Sequence, residues 1–484
     1  MVVRRSIFWS FVGDGSMIVS SFITGVIVAR LLTPAEMGVF AIAISVMAVL
    51  QSMSQMGLGS YVIRERAIDP VLMGSIVSIA ALQGLLTSAV LCALAPLVGS
   101  FQRSGEVTEV IYIIAAVPLF SSLEAVAVGL WSKTFNFVAL ARVAIARAVL
   151  QTGLTVWLAV QGWGAASMAY GFLVSSIFAC VLSLPPLLPV RLNVTHWRQL
   201  MRFGGLWMLL GGIRTLNARL PEFALGRLAG LAASGLYNRA SASVDLVFRG
   251  GFAPLAKVLL PALAQEHENS GELGAGIIRL SGTLSAVFWP ILATLALLSE
   301  EFVTVLYGDQ WHAAANIVSI LCAWLALAVL AAGGTETLLV LDRLDLLAKI
   351  EIARTCVGIA FIVVFAPLGM AAIAWSRVLE NALFVLPYVL VFQKLGGLSV
   401  RSWISAHVES GKICFITVAP LVALITTEVL PHNPFLRLAI AGPIFVIAFL
   451  AAVYATRHPL SKEVTMIASL VAKRVHRRPP GPTV

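Results

Sequence analysis

Long apolar runs recur along this chain, broken by short polar turns, and few of them alternate in the way a half-buried strand would. Runs of about 20 apolar residues are what a helix needs to cross the roughly 30 Å hydrocarbon core of a bilayer. Read this way, spans fall at 8–29, 38–60, 71–98, 110–131, 143–160, 166–188, 203–225, 234–256, 280–299, 313–339, 350–366, 370–392, 411–429 and 435–455. The pattern predicts an all-α polytopic membrane protein of about 14 transmembrane helices. Gly and Pro inside the runs bend helices without ending them, because neighbouring helices shield the local backbone defects. Composition points the same way. The 484 residues are 59% hydrophobic and 12% charged, about half the charge of a soluble domain. They hold too little polar side chain to cover their own surface.

The charges also have an order. Most of the 33 Lys and Arg collect in alternate turns and helix flanks, among them Arg4, Arg5, Arg64, Arg66, Lys133, Arg142, Arg147, Arg191, Arg354 and Lys394. By the positive-inside rule this places both termini in the cytoplasm. The opening MVVRRSIFWSF resembles the basic start of a signal peptide, yet its apolar run continues to Arg30 without a convincing cleavage site, so it reads as a retained first span. A net charge of +10 spread over short turns makes no compact basic domain, and no nucleic-acid partner is expected. Cys92, Cys180, Cys322, Cys356 and Cys414 stand singly in apolar stretches and read as small buried core residues. No HExxH, GxSxG or GxxxxGK[ST] occurs, so no catalytic residue, metal or cofactor is expected.

An internal echo suggests duplication. Arg30-Leu31-Leu32-Thr33-Pro34-Ala35-Glu36-Met37-Gly38-Val39-Phe40 resembles Arg227-Leu228-Ala229-Gly230-Leu231-Ala232-Ala233-Ser234-Gly235-Leu236-Tyr237 at an offset of 197 residues. Both segments follow an odd-numbered span, so the repeat would be parallel. The expected organisation is a six-helix bundle at 1–190, a cytoplasmic linker at 191–202 and a second six-helix bundle at 203–395. Two further helices follow within 396–456, and 457–484 is a basic cytoplasmic tail.

Charges inside spans are expensive against lipid and face a bundle interior, a wet cavity or each other. The weakly apolar segment RFGGLWMLLGGIRTLNARLPEFALGRLAG carries Arg214, Arg219, Glu222 and Arg227, and Pro221 is expected to break its helix between Arg219 and Glu222. In the next span Asp245 and Arg249 stand at i,i+4, where an intrahelical pair competes with ligand contact. Arg239 has no opposite charge at such a spacing and is the stronger cavity candidate. Asp14 is alone in the first span, and Arg377 shares a helix face with Glu380. A guanidinium keeps its charge within a membrane and presents several donors to phosphate. Arg30, Arg214, Arg219, Arg227, Arg239 and Arg377 are therefore candidate ligands for an anionic lipid headgroup or sugar phosphate, with Asp14, Glu222 and Asp245 as coupling groups or counter-charges.

The run ARLLTPAEMGVFAIAISVMAVLQSMSQMGLGSYVIRER, with GRLAGLAASGLYNRA and Pro261-Ala262-Leu263 later, resembles the polysaccharide-flippase branch of the multidrug/oligosaccharidyl-lipid/polysaccharide exporter superfamily. The resemblance implies two parallel six-helix bundles plus two C-terminal helices in a bacterial inner membrane. It also implies that the cargo is an undecaprenyl-diphosphate-linked oligosaccharide, moved from the cytoplasmic to the periplasmic leaflet for exopolysaccharide, capsule or O-antigen synthesis. A polysaccharide polymerase and a chain-length regulator would be partners, beside membrane lipids. Two other readings stay open at this point: a multidrug or small-solute exporter of the same superfamily, and a membrane enzyme or scaffold of polysaccharide assembly.

Overall fold

Short polar signals set the helix ends. The computed structural model describes residues 2–54, 57–188, 191–252, 273–458 and 460–461. Helix α1 (Val2–Leu31) gives way to α2 (Pro34–Ser54) through a capping box. The Thr33 N–H donates to Glu36 Oε2 at 2.7 Å, and the Glu36 N–H donates to Thr33 Oγ1 at 3.3 Å. Pro34, which lacks an N–H, occupies the first turn where none is needed. The Thr-Pro-Ala-Glu of the sequence motif is thus a helix start. Similar caps begin α4 (Pro70–Gln102), where Asp69 accepts the Leu72 N–H at 2.6 Å, and α7 (Phe137–Val160), where Asn136 accepts the Ala139 N–H at 3.3 Å.

Between these lie α3 (Leu58–Arg64), α5 (Gly105–Ile114) and α6 (Val117–Lys133), followed by α8 (Ala165–Ser183), α9 (Trp197–Leu228) and α10 (Leu231–Val247). A π-helical turn, Phe248–Phe252, extends α10. The chain continues through α11 (Gly274–Leu297), α12 (Ser299–Tyr307), α13 (Ala313–Leu330), α14 (Gly334–Val340) and α15 (Leu344–Phe365). It ends its described course with α16 (Met370–Gly396), α17 (Val400–Thr426) and α18 (Pro434–Ala455).

Among the described residues, each apolar run read from the sequence falls mainly on one helix or on two in succession, and 11 helical segments are long and apolar enough to cross a membrane; residues 55–56 and 253–256 of two of the runs lie outside the described residues. α1, α9 and α10 are outside that set: the apolar part of α1, Gly15–Leu31, is short, and α9 and α10 carry several polar and charged residues. Outward-facing Leu82, Leu85, Leu86 and Leu97 on α4, and Ile447 on α18, form the exposed apolar surface that lipid covers. Cys180 and Cys322 are buried as expected, but Cys92 and Cys356 are exposed on this kind of surface. A thiol is apolar enough to face acyl chains as well as a protein core.

Two other expectations are corrected. Pro221 does not break α9, which runs unbroken through it, the missing ladder bond being tolerable where the helix is packed on α2 and α10. Helices α7 and α15 begin six residues before the apolar runs that marked them, which moves Arg147 and Arg354 from helix flanks to helix middles.

The chain divides into two compact units. The first comprises Met1–Gly250, Leu306–Ile317 and Asp345–Glu380, and the second comprises Gly251–Val305, Val318–Leu344 and Asn381–Val484. In the first, α1 packs along α7, α2 against α9 and α10, and α4 against α6. Its core includes Val39, Ile42, Leu91, Ile111 and Ile114. In the second, α11 packs on α17 and α17 on α18, around Ala286, Ile413 and Val453.

The echoed segments meet within the first unit. A Cβ on Gly38 would overlap the carbonyl oxygen of Leu231, and one on Gly235 would overlap that of Pro34. Residues 34 and 231, like 38 and 235, stand 197 apart, so the contact is reciprocal about a local two-fold relation. These glycines let α2 and α10 approach backbone to backbone.

Candidate functional site

Within the first unit, α1, α7 and α10 enclose a polar cavity of about 430 Å³, closed on one side by Tyr307. Helix α10 supplies Arg239 and Asp245, the π-turn supplies Arg249, and α7 supplies Arg147, Gln151 and Thr152. Three guanidiniums thus face the cavity beside a single carboxylate. Ser20 and Thr24 of α1 bond to Thr152 at 2.8 and 2.5 Å, which ties α1 to α7 through hydroxyl groups lining the same space.

Arg239 is 7% exposed. Its Nη1 donates to the Gly25 carbonyl at 3.2 Å, and its guanidinium lies 5.4 Å from the ring centre of Tyr307 and 6.0 Å from that of Trp311. The rings are held in turn. Trp311 Nε1 donates to the Ala29 carbonyl at 2.7 Å, and the Tyr307 and Ser243 hydroxyls are 3.0 Å apart. Aromatic faces stabilise the cation without neutralising it. Its Nε finds no acceptor among the described residues. A buried donor left open on a charged group is a strong demand for an acceptor.

Arg147 is differently placed. It donates to Glu124 Oε2 at 2.9 Å and to Ser176 Oγ at 3.1 Å, and lies over the Phe172 ring at 5.8 Å. This arrangement fixes its position at the cavity wall, roughly 15 Å along α7 from that helix's start at 1.5 Å per residue. Arg249 is exposed. π-turns tend to mark functional positions, since the extra residue redirects side chains without ending the helix.

The remaining expected residues serve other contacts. Arg30, exposed at the end of α1, donates through Nε to the Leu306 carbonyl at 3.2 Å. Arg227 stacks on Phe101 at 5.4 Å, and Phe101 on Phe223. Arg219 pairs with Glu222 at 3.3 Å, a geometry the unbroken α9 permits. Glu222 also accepts from Ser45 at 2.6 Å and from Asn238 at 2.9 Å, so it ties α9 to α2 and α10. Arg214 pairs with Glu351 at 3.0 Å. Arg377 and Arg354 both bond to Glu380, which is 1% exposed, and Asn217 links Arg377 and Glu380 through its amide. A Cβ on Gly358 would collide with the Asn217 and Glu380 oxygens, so this network packs directly against the α15 backbone. The side chain of Asp14 lies outside the described residues.

Of the six arginines named from the sequence, Arg239 lines this cavity, and Asp245 accompanies it. Arg147, Gln151, Thr152 and Tyr307 were not singled out. The signal for Arg147 was the Asn136 cap, which starts α7 early enough to put that arginine in mid-helix.

The family model described as "Polysaccharide biosynthesis protein" matches residues 27–316, which carry most of the cavity wall. The lipopolysaccharide biosynthesis protein WzxC of Escherichia coli (strain K12) is 21% identical over 413 residues, 82% of each chain. The teichuronic acid biosynthesis protein TuaB of Bacillus subtilis (strain 168) is 22% identical over 314 residues, and the alignment spans 61% of this chain and 62% of TuaB's length. The succinoglycan biosynthesis transport protein ExoT of Rhizobium meliloti (strain 1021) is 23% identical over 66% of this chain and 65% of its own. In fold, the chain matches the lipid II flippase MurJ in an inward closed conformation with a TM-score of 0.76 at 13% identity, over 92% of this chain and 98% of that one. A transporter of the MOP superfamily from Pyrococcus furiosus matches with a TM-score of 0.57 at 16% identity, over 81% and 94%. The chain is therefore a multi-pass membrane protein of all-helical transporter fold, and it belongs to the polysaccharide biosynthesis protein family.

Proposed function

We propose that the chain moves an undecaprenyl-diphosphate-linked oligosaccharide from the cytoplasmic to the periplasmic leaflet of a bacterial inner membrane by alternating access. The observation that carries this reading is the cavity of Arg147, Arg239 and Arg249, with the open donor on Arg239. A lipid diphosphate brings acceptor oxygens and negative charge to it, and the hydroxyl and amide groups of Ser20, Thr24, Gln151 and Thr152 suit the first sugar. A polar headgroup crosses hydrocarbon only at a large desolvation cost, which a wet, charged cavity removes. No bond is made or broken, so the protein acts as a flippase and not as an enzyme.

The two six-helix bundles at 1–190 and 203–395 are the moving parts in this reading, with the pair in 396–456 appended and both termini cytoplasmic. Arg30, Arg214, Arg219, Arg227 and Arg377 shape or hold the path rather than grip the diphosphate at this cavity. A polymerase and a chain-length regulator would receive the product. The test is deletion of the gene: the lipid-diphosphate glycan should accumulate on the inner leaflet, and loss of glycan export with no such accumulation would point to an assembly enzyme or scaffold.

A further inference from the structure

One wall of the arginine cavity is unlike the others. Tyr307 comes from the nine-residue α12, and the chain turns directly after it at Gly308, whose φ of 95° is in the left-handed region that favours glycine. A 3-10 turn, Asp309–Trp311, then leads to α13. Residues 306–317 belong to the first unit, although the chain on either side, to Val305 and from Val318, belongs to the second. Within the second unit the first turn of α12 is anchored, because Arg437 of α18 donates to Glu301 Oε1 at 2.6 Å. The stretch thus has a fixed root, and its tip lies on the cavity.

Two sets of contacts hold the tip. One is to the end of α1, where Gln310 Nε2 and Trp311 Nε1 each donate to the Ala29 carbonyl at 2.7 Å. Gln310 Nε2 also reaches the Leu32 carbonyl at 3.3 Å, and Arg30 Nε donates to the Leu306 carbonyl at 3.2 Å. The last carbonyls of a helix have no partner in a following turn, so these donors complete α1 from outside. Each of these bonds ends on a backbone carbonyl, which water can satisfy when the two parts separate. The other set is to Arg239. Trp311 is fully buried and Tyr307 almost so, and their ring centres lie 6.0 and 5.4 Å from the guanidinium. Ring faces are drawn to it by its charge. An anion that takes the open Nε neutralises that charge and weakens the hold of both rings.

We infer that residues 306–311 form a displaceable lid over the arginine cavity, with Tyr307 and Trp311 occupying Arg239 until a diphosphate takes it. The inference rests on the cargo reading above; with both termini cytoplasmic, the lid is on the periplasmic side. Coupling of this kind is reciprocal: an anion that loosens the lid binds more tightly when the lid's grip is removed. The test uses the purified full chain and inorganic pyrophosphate as probe, with binding of radioactive pyrophosphate and amide hydrogen exchange of 306–311 as readouts. Pyrophosphate should bind the wild type and speed exchange of that segment about tenfold, and it should leave exchange unchanged in Arg239→Ala. Tyr307→Ala should bind pyrophosphate about tenfold more tightly, a gain that loss of structure cannot produce, and Tyr307→Phe, which keeps the ring, should return to within about twofold of the wild type. If Tyr307→Ala does not fold, exchange in the wild type decides. Pyrophosphate that binds without speeding exchange, a response that persists in Arg239→Ala, or a folded Tyr307→Ala that binds no more tightly would overturn the lid and leave the cargo reading standing. No binding to the wild type would overturn both.

Discussion

Arg239→Ala is expected to lower the initial rate of cargo translocation by about 100-fold per inserted molecule. The guanidinium faces a cavity with its Nε unsatisfied, and it is held by a backbone carbonyl and two aromatic rings rather than by a carboxylate. Charge-assisted hydrogen bonds are worth about 1.5–3 kcal/mol each, and about 1.4 kcal/mol is tenfold, so losing one or two contacts to a diphosphate accounts for the drop. Folding should suffer little, because no buried carboxylate is left without its partner. Arg239→Lys keeps the charge but not the planar fork and should recover only part of the rate. The measurement is translocation normalised to protein in the membrane. If insertion falls in parallel with rate, Arg239 is a structural residue.

Glu380→Ala should act in the opposite manner, on stability before transport. Glu380 is almost fully buried and accepts from Arg377, Arg354 and Asn217. Its removal leaves two guanidiniums without that counter-charge, and breaking a buried pair from one side costs about 3–5 kcal/mol. Thermal unfolding in detergent should show a clear fall in midpoint, with a lower yield of inserted protein. The rate per inserted molecule should change far less than in Arg239→Ala. Glu380→Gln, which keeps an acceptor but loses the charge, should fall between. An unchanged midpoint for Glu380→Ala would show that the network bears no part of the stability.

These two residues also mark what the sequence disclosed. The absence of an opposite charge near Arg239 at helical spacing pointed to a cavity, and Arg239 does line one. The spacing of Arg377 and Glu380 placed them on one face, where they pair, but Asn217 and Arg354 come from other helices and no local pattern links them. Hydropathy located the helices because burial in lipid is decided by composition over a long window. It set the starts of α7 and α15 six residues late, just past Arg142 and Lys349, since capping acts through single residues such as Asn136. By hydropathy alone Arg147 therefore reads as a flanking charge. The interruptions at Gly57 and Ala115 were also unseen, because an apolar run remains apolar across a break in its hydrogen bonds. Gly38 and Gly235, at matching positions of the two echoed segments, meet where α2 and α10 pack backbone to backbone.

The most direct measurement is leaflet accessibility of an undecaprenyl-diphosphate-linked oligosaccharide in vesicles containing the purified chain. The glycan should move between leaflets much faster than in empty vesicles, with its diphosphate intact, and Arg239→Ala should remove most of the difference. Equal rates in loaded and empty vesicles, with the correct glycan present, would contradict a flippase; cleavage of the diphosphate would show an enzyme in its place.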